Sequence, residues 1–222
     1  MLPNMSPDPW NLRARVPMAI RAIEDLSEEA LSNVIWGRIK GEQGARLPKF
    51  ERGEYPSDLF VDVVKNAPGD QHNLLRRMKS AVARILVRET NRQVLTDVDA
   101  IAETIFLAAR IESEAAVNPI FVIVTHPDSR EHRVDGERLQ SRALRALLGL
   151  LIAFPARATQ AHQSLFEELM FESEYTVTCL TALVGLFKQD QESLIRQLKE
   201  KDSPIDKTEL DLHLTVSGLF ER

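Results

Sequence analysis

The chain has 222 residues, 44% of them hydrophobic and 27% charged. These are ordinary proportions for a globular protein, and the chain is long enough to bury a core without a disulfide or metal to staple it. The net charge of -5 argues against a dedicated nucleic-acid binder, though not against a local basic patch, and the single cysteine, Cys179, excludes an intrachain disulfide.

The first ten residues hold Pro3, Pro7 and Pro9 and lack the charged-then-apolar order of a signal peptide. The longest apolar run, 146–154, is far short of the ~20 residues that span a bilayer. No membrane partner is expected, and the cytoplasm is the expected address. The basic residues divide into 20 Arg and 8 Lys, a bias expected of a GC-rich bacterial genome. Residues 1–16 read as an extended segment and 17–222 as one helical domain, with a sub-boundary near 127–135.

The elements follow in chain order. Pro17 suits a helix first turn. Ser27 is placed to cap a clearer helix, with Glu28 and Glu29 favourable at its positive end and Leu26 set to staple onto Leu31. That helix fails near Gly41. Residues 41–56 hold three glycines and two prolines and read as a long loop. Ser57 caps a short helix carrying Leu59, Phe60, Val63 and Val64, which Pro68-Gly69 ends. Asp70 opens a long helix to about Asn91, with Leu75, Met78, Val82, Ile85 and Leu86 as its apolar stripe. Thr96 is expected to cap the next helix, whose buried face is read as Val98, Ile101, Ala102, Ile105, Phe106 and Ala109.

Residues 119–126 are rich in β-branched side chains and bounded by prolines, which suits a strand. No partner strand is evident, and a lone strand cannot satisfy its backbone. Helix is therefore favoured, with a single short strand or hairpin near 120–134 left open. Asp135 is placed to cap a helix that Pro155 ends. One long helical region is expected over 160–188, built on Leu165, Phe166, Leu169, Tyr175, Leu180, Leu183, Val184 and Phe187. Two short helices, 190–201 and 207–221, complete an all-α protein, either a multi-helix bundle or a short solenoid-like array.

A short phrase recurs in the C-terminal part: Ala-Leu-Leu-Gly-Leu-Leu at 146–151, Ala-Leu-Val-Gly-Leu-Phe at 182–187 and Thr-Val-Ser-Gly-Leu-Phe at 215–220. Its glycines, Gly149, Gly185 and Gly218, are spaced like a helical repeat. Coincidence among amphipathic helices explains the phrase as well. A helical glycine costs about 1 kcal/mol against alanine, so close packing is expected at Gly185.

Two basic features stand out. Arg77, Arg84, Arg88 and Arg92 fall within about 80° of each other on the helix from Asp70. Such a ridge can grip phosphates or an acidic partner. It can equally be solvated, or paired with Asp97, Asp99, Glu103, Glu112 or Glu114 of the segment that follows. The loop adds Arg38, Lys40, Arg46, Lys49 and Arg52, with Phe50 and Tyr55 interleaved, a mixture suited to protein interfaces or base stacking. The candidate interaction surface is thus Arg46, Lys49, Phe50, Arg52, Tyr55, Arg77, Arg84, Arg88 and Arg92.

His126 and His132, with Asp128, Glu131 and Asp135, form a polar loop but meet no recognised metal spacing. Glu209 and His213, four apart, supply only two ligands. Paired acids such as Glu167-Glu168 read as exposed helix charge. No nucleophile elbow, triad order, phosphate loop or dinucleotide fingerprint is present. Cys179, in an apolar run, reads as a buried hydrophobe. The expectation is therefore a non-enzymatic helical interaction module, an adaptor or subunit of a larger assembly, binding a protein partner and free to form homo-oligomers. A nucleic-acid-binding accessory protein is the alternative and a small helical enzyme the third reading. No cofactor or metal is implied.

Overall fold

A computed structural model describes residues 26–41, 60–61 and 71–201. Within them the protein is helical apart from one small hairpin. The elements are α1 (Glu28–Ile39), α2 (Gln71–Thr90), α3 (Val98–Arg110), a 3-10 turn (Glu114–Ala116), α4 (Val117–Thr125), α5 (Pro127–Glu131), β1 (Arg133–Val134), β2 (Glu137–Arg138), α6 (Leu139–Ala153), a second 3-10 turn (Pro155–Arg157), α7 (Gln160–Leu169), α8 (Thr176–Gly185) and α9 (Gln191–Glu200). This is the expected all-α bundle.

Helix α1 starts as its sequence dictates: the Ser27 hydroxyl accepts from the Ala30 amide at 3.1 Å. Its buried face, Leu31, Ile35, Trp36 and Ile39, lies along α2, which answers with Met78, Ala81, Val82, Ile85 and Leu86. Helix α2 also packs on α3 and α4, while α6 packs chiefly on α4 and α3. Helices α7 and α8 form a further pair, and α9 rests on α8 through Leu194 and Leu198. All of these apolar faces join one hydrophobic cluster. Burying an aliphatic or aromatic side chain is worth about 1.5–3 kcal/mol, so this cluster dominates the stability.

Residues 117–125 are helix, not strand. Helix satisfies the backbone internally, and Pro119 is third in it, where an intrahelical amide partner is missing anyway. The hairpin lies just beyond, with Arg133 opposite Arg138 and Val134 opposite Glu137. Its turn residues, Asp135 (φ 50°) and Gly136 (φ 84°), are both left-handed, as a two-residue type I′ turn requires and Asp-Gly best supplies. Asp135 therefore does not cap a helix; Arg138 stands at the N-cap of α6 without a side-chain cap bond.

Four further expectations are corrected. The region 160–188 is two helices, broken at Met170–Tyr175. The break lets Glu172, Glu174 and Tyr175 converge on Arg138 at 3.8, 3.3 and 3.2 Å. The N-cap of α3 is Asp97 rather than Thr96, and its carboxylate meets Lys40 (3.4 Å) and Arg92 (3.9 Å) rather than the helix end. Gly149 and Gly185 are not close-packing points: both are exposed, and a Cβ on either would meet nothing within 4 Å. One is interior to α6 and the other ends α8, so these two copies of the phrase share no packing position; Gly218 lies outside the described residues. Finally, Phe106 is 45% exposed. Taking Ile101 as zero, Phe106 lies about 140° around the helix, away from Ile105 and Ala108.

Candidate functional site: the α3–α6 face

The arginine ridge is held by the protein itself. Arg77 donates to the Leu26 carbonyl. Arg84 lies 3.7 Å from Glu28, which also accepts from Ser80 at 3.1 Å. Arg88 donates to Asn33 (3.1 Å) and to Glu89 (3.0 Å), and its guanidinium lies 5.3 Å from the Trp36 ring centre. Arg92 meets Glu89 at 3.0 Å and donates to Thr96 at 3.2 Å. Glu89 is fully buried, so its charge depends on these two guanidinium groups. The carboxylates used include Glu28 and Glu89, and of the acids expected on the following segment Asp97 takes part. The ridge thus fastens α1 to α2. Arg46, Lys49, Phe50, Arg52 and Tyr55 lie outside the described residues.

The structure brings together a different surface. Helices α3 and α6 pack side by side, and a furrow between them is lined by residues of both. Beyond their C-terminal ends Glu114 meets Arg157 at 2.7 Å. The furrow encloses about 390 Å³ and is walled by Ala102, Ile105, Phe106, Ala109 and Ala146. At its other end a second hollow of about 430 Å³ opens between Asp97, Asp99, Glu103 and Asp135. Ala102 and Arg142 belong to both. Phe106 stands at the furrow's edge with the Arg110 guanidinium 5.3 Å from its ring centre.

The hairpin fixes the rim. Glu137 accepts from Arg145 at 2.6 Å and from Ser141 at 2.8 Å, and Arg142 lies between Glu137 (3.4 Å) and Asp135 (3.1 Å). The Arg145 hydrogen bond, helped by Ser141 and the two positive charges, holds the Glu137 carboxyl below its usual range against the opposing effect of burial. The charged side chains bordering the furrow are therefore held by contacts within the chain.

The reactive residue types are engaged in structure. Cys179 is fully buried, and burial drives its thiol far above the usual range, which disfavours the nucleophilic thiolate. His126 accepts from the Asp128 amide at 3.2 Å to cap α5, while Asp128 accepts from the Leu95 amide at 2.8 Å. That loop is built on caps, and no group of metal-binding side chains forms among the described residues. Buried His162 joins Thr159 in a capping box and meets Phe121 edge-on at 4.8 Å. Desolvation lowers its pKa. Glu209 and His213 are outside the described residues.

Sequence reasoning missed Phe106, Arg142, Arg145 and Glu137 as a surface set. Two signals pointed to it: the Asp135-Gly136 pair, and the 140° offset of Phe106 from the core face. Fold and site together define an all-α bundle with a walled furrow on one two-helix face. No protein-family model, curated protein or solved structure matches the chain. Among the described residues, no helix is long and apolar enough to cross a membrane.

Proposed function

We propose that the protein is a non-enzymatic helical interaction module, an adaptor or a subunit of a larger assembly, that docks a protein partner on its α3–α6 face. The observation that carries this is Phe106: a half-exposed aromatic, held against Arg110, beside a small-residue furrow. Aromatic and arginine side chains dominate interface energetics, and a furrow beside them supplies the pocket such anchors use. The loop residues Arg46, Lys49, Phe50, Arg52 and Tyr55 are proposed, on composition, to extend the docking surface. The bias of Arg over Lys and the lone buried thiol favour the bacterial cytoplasm as its place of work.

The nucleic-acid alternative draws less support. Arg77, Arg84, Arg88 and Arg92 each hold an oxygen of the same chain, and a phosphate would have to compete for them. A photo-reactive amino acid placed at position 106 in cells tests the proposal, with exposed Glu168 as the control position. The expected result is a protein adduct at 106, absent at 168 and resistant to nuclease. No adduct at 106, or one that nuclease removes, contradicts it.

A further inference from the structure

We propose that the start of α7 is an acid-released latch: protonation of His162 undoes the capping box, frees the connection between α6 and α7, and uncovers Phe121 beside the already exposed Val122. The geometry around one ring nitrogen carries this. The Thr159 amide donates to His162 Nδ1 at 3.1 Å, and the Thr159 hydroxyl lies 2.7 Å from the same atom. A backbone amide only donates, so Nδ1 is the acceptor and the neutral ring carries its proton on Nε2. Nε2 itself is buried and has no hydrogen-bond partner.

Protonation therefore strikes the cap itself. The added proton goes to Nδ1, the atom the Thr159 amide needs. The hydroxyl can turn round and accept from the new Nδ1–H, but the amide cannot, and it loses its partner. The ring also becomes a buried cation. Among the described residues, the elements around it supply no free counter-charge. Helix α4, which sets Phe121 edge-on to the ring, has no ionisable side chain, and α8 has only Cys179, whose thiol burial keeps neutral. In the turn before α7, Arg157 is paired with Glu114. Arg142 and Arg145 of α6 are held by Glu137. On α7 itself, Glu167 accepts from Gln163 and Gln189, and Glu168 is exposed. Burial alone accordingly lowers the ring's pKa. A buried charge without a counter-charge is costly, so the ring takes up its proton by leaving its site. The first turn, closed by the Gln163 amide on the Thr159 carbonyl at 3.1 Å, opens with it. Half-buried Phe121 then loses its cover, which enlarges the apolar surface that Val122 already presents on α4.

Native-state hydrogen exchange of the full chain at about pH 7 and about pH 5, read as protection factors, tests the latch. In wild type the amides of 163–166 should lose protection several-fold at the lower pH, with a ceiling of about thirtyfold set by one proton and a free pKa near 6.5. The amides of α2 should keep theirs, and a dye that reports apolar surface should bind more strongly at the lower pH. His162→Gln supplies the control. Glutamine at this position of a capping box accepts from the same amide and does not titrate, so its 163–166 protection and its dye binding should be the same at both pH values. Nitrogen NMR of wild type at neutral pH should find the ring proton on Nε2. A proton on Nδ1 overturns the proposal. So does wild-type protection of 163–166 that is unchanged by acid, the same acid loss in His162→Gln, or an opening without added dye binding. A loss shared equally by α2 is global acid unfolding and overturns it too.

Discussion

Replacing Gly149 with alanine should stabilise the protein. Gly149 is the eleventh of the fifteen residues of α6, is exposed, and does not have a left-handed backbone conformation. A Cβ there would meet nothing within 4 Å, so no steric cost offsets the gain. Alanine restricts the unfolded chain and removes the helical penalty of glycine, worth about 0.8–1 kcal/mol. In a chain of this size that corresponds to roughly 2–4 °C in melting temperature. Urea titration and thermal melting followed by far-ultraviolet circular dichroism read both quantities. Gly185→Ala, at the last residue of α8, should gain less, because end positions fray. A loss of 1 kcal/mol or more for Gly149→Ala would refute the reasoning, since only a close neighbour over that glycine could cause it.

Other substitutions separate the tasks of the charged residues. Arg84→Ala should change stability by less than about 0.5 kcal/mol, since its pair with Glu28 is half-exposed on both sides. Arg88→Ala should cost about 2 kcal/mol in the same titration, because it leaves buried Glu89 short of a cation and uncovers Trp36. The lowered pKa of His162 means that the unfolded chain binds its proton more readily than the native one. Its contribution is intact above the unfolded value near 6.5 and is lost as pH falls below it; His162→Asn should flatten the decline in urea midpoint between about pH 6.5 and 5. Glu137 behaves oppositely in charge, its lowered pKa giving stability above the usual carboxylate range that fades as pH falls through it. Glu137→Gln should therefore be less stable than wild type at neutral pH, with the gap closing below about pH 4. Cys179 should resist a thiol reagent in native buffer and react promptly in denaturant, as its burial requires.

The helices were legible where periodicity and caps agree. Ser27 caps α1 as its sequence implies, Asp190 caps α9 through the Ser193 amide at 2.8 Å, and α2 ends within a residue or two of its reading. The break at 170–175 was not legible, because apolar residues keep helical spacing across it. What ends the helix is tertiary: Tyr175 and two glutamates meet Arg138, far away in sequence. The arginine ridge was visible as a stripe, but its partners were not. A stripe gives a direction on one helix and does not say which neighbour lies there; α1, not only the following segment, supplied the carboxylates. Phe106 was miscast for a related reason. An aromatic side chain beside Ile105 reads as core by type, and only its angular position shows that it faces outward.

The docking proposal depends on Phe106 lying outside the buried core. The melting temperature of Phe106→Asp, measured in dilute solution, tests that directly. At 45% exposure the ring gives up about half of a buried side chain's 1.5–3 kcal/mol, so a loss of about 1–1.5 kcal/mol is expected. That amounts to roughly 2–6 °C in melting temperature. A buried phenylalanine would lose about 3–5 kcal/mol on truncation alone, and a fall of roughly 10 °C would contradict the account.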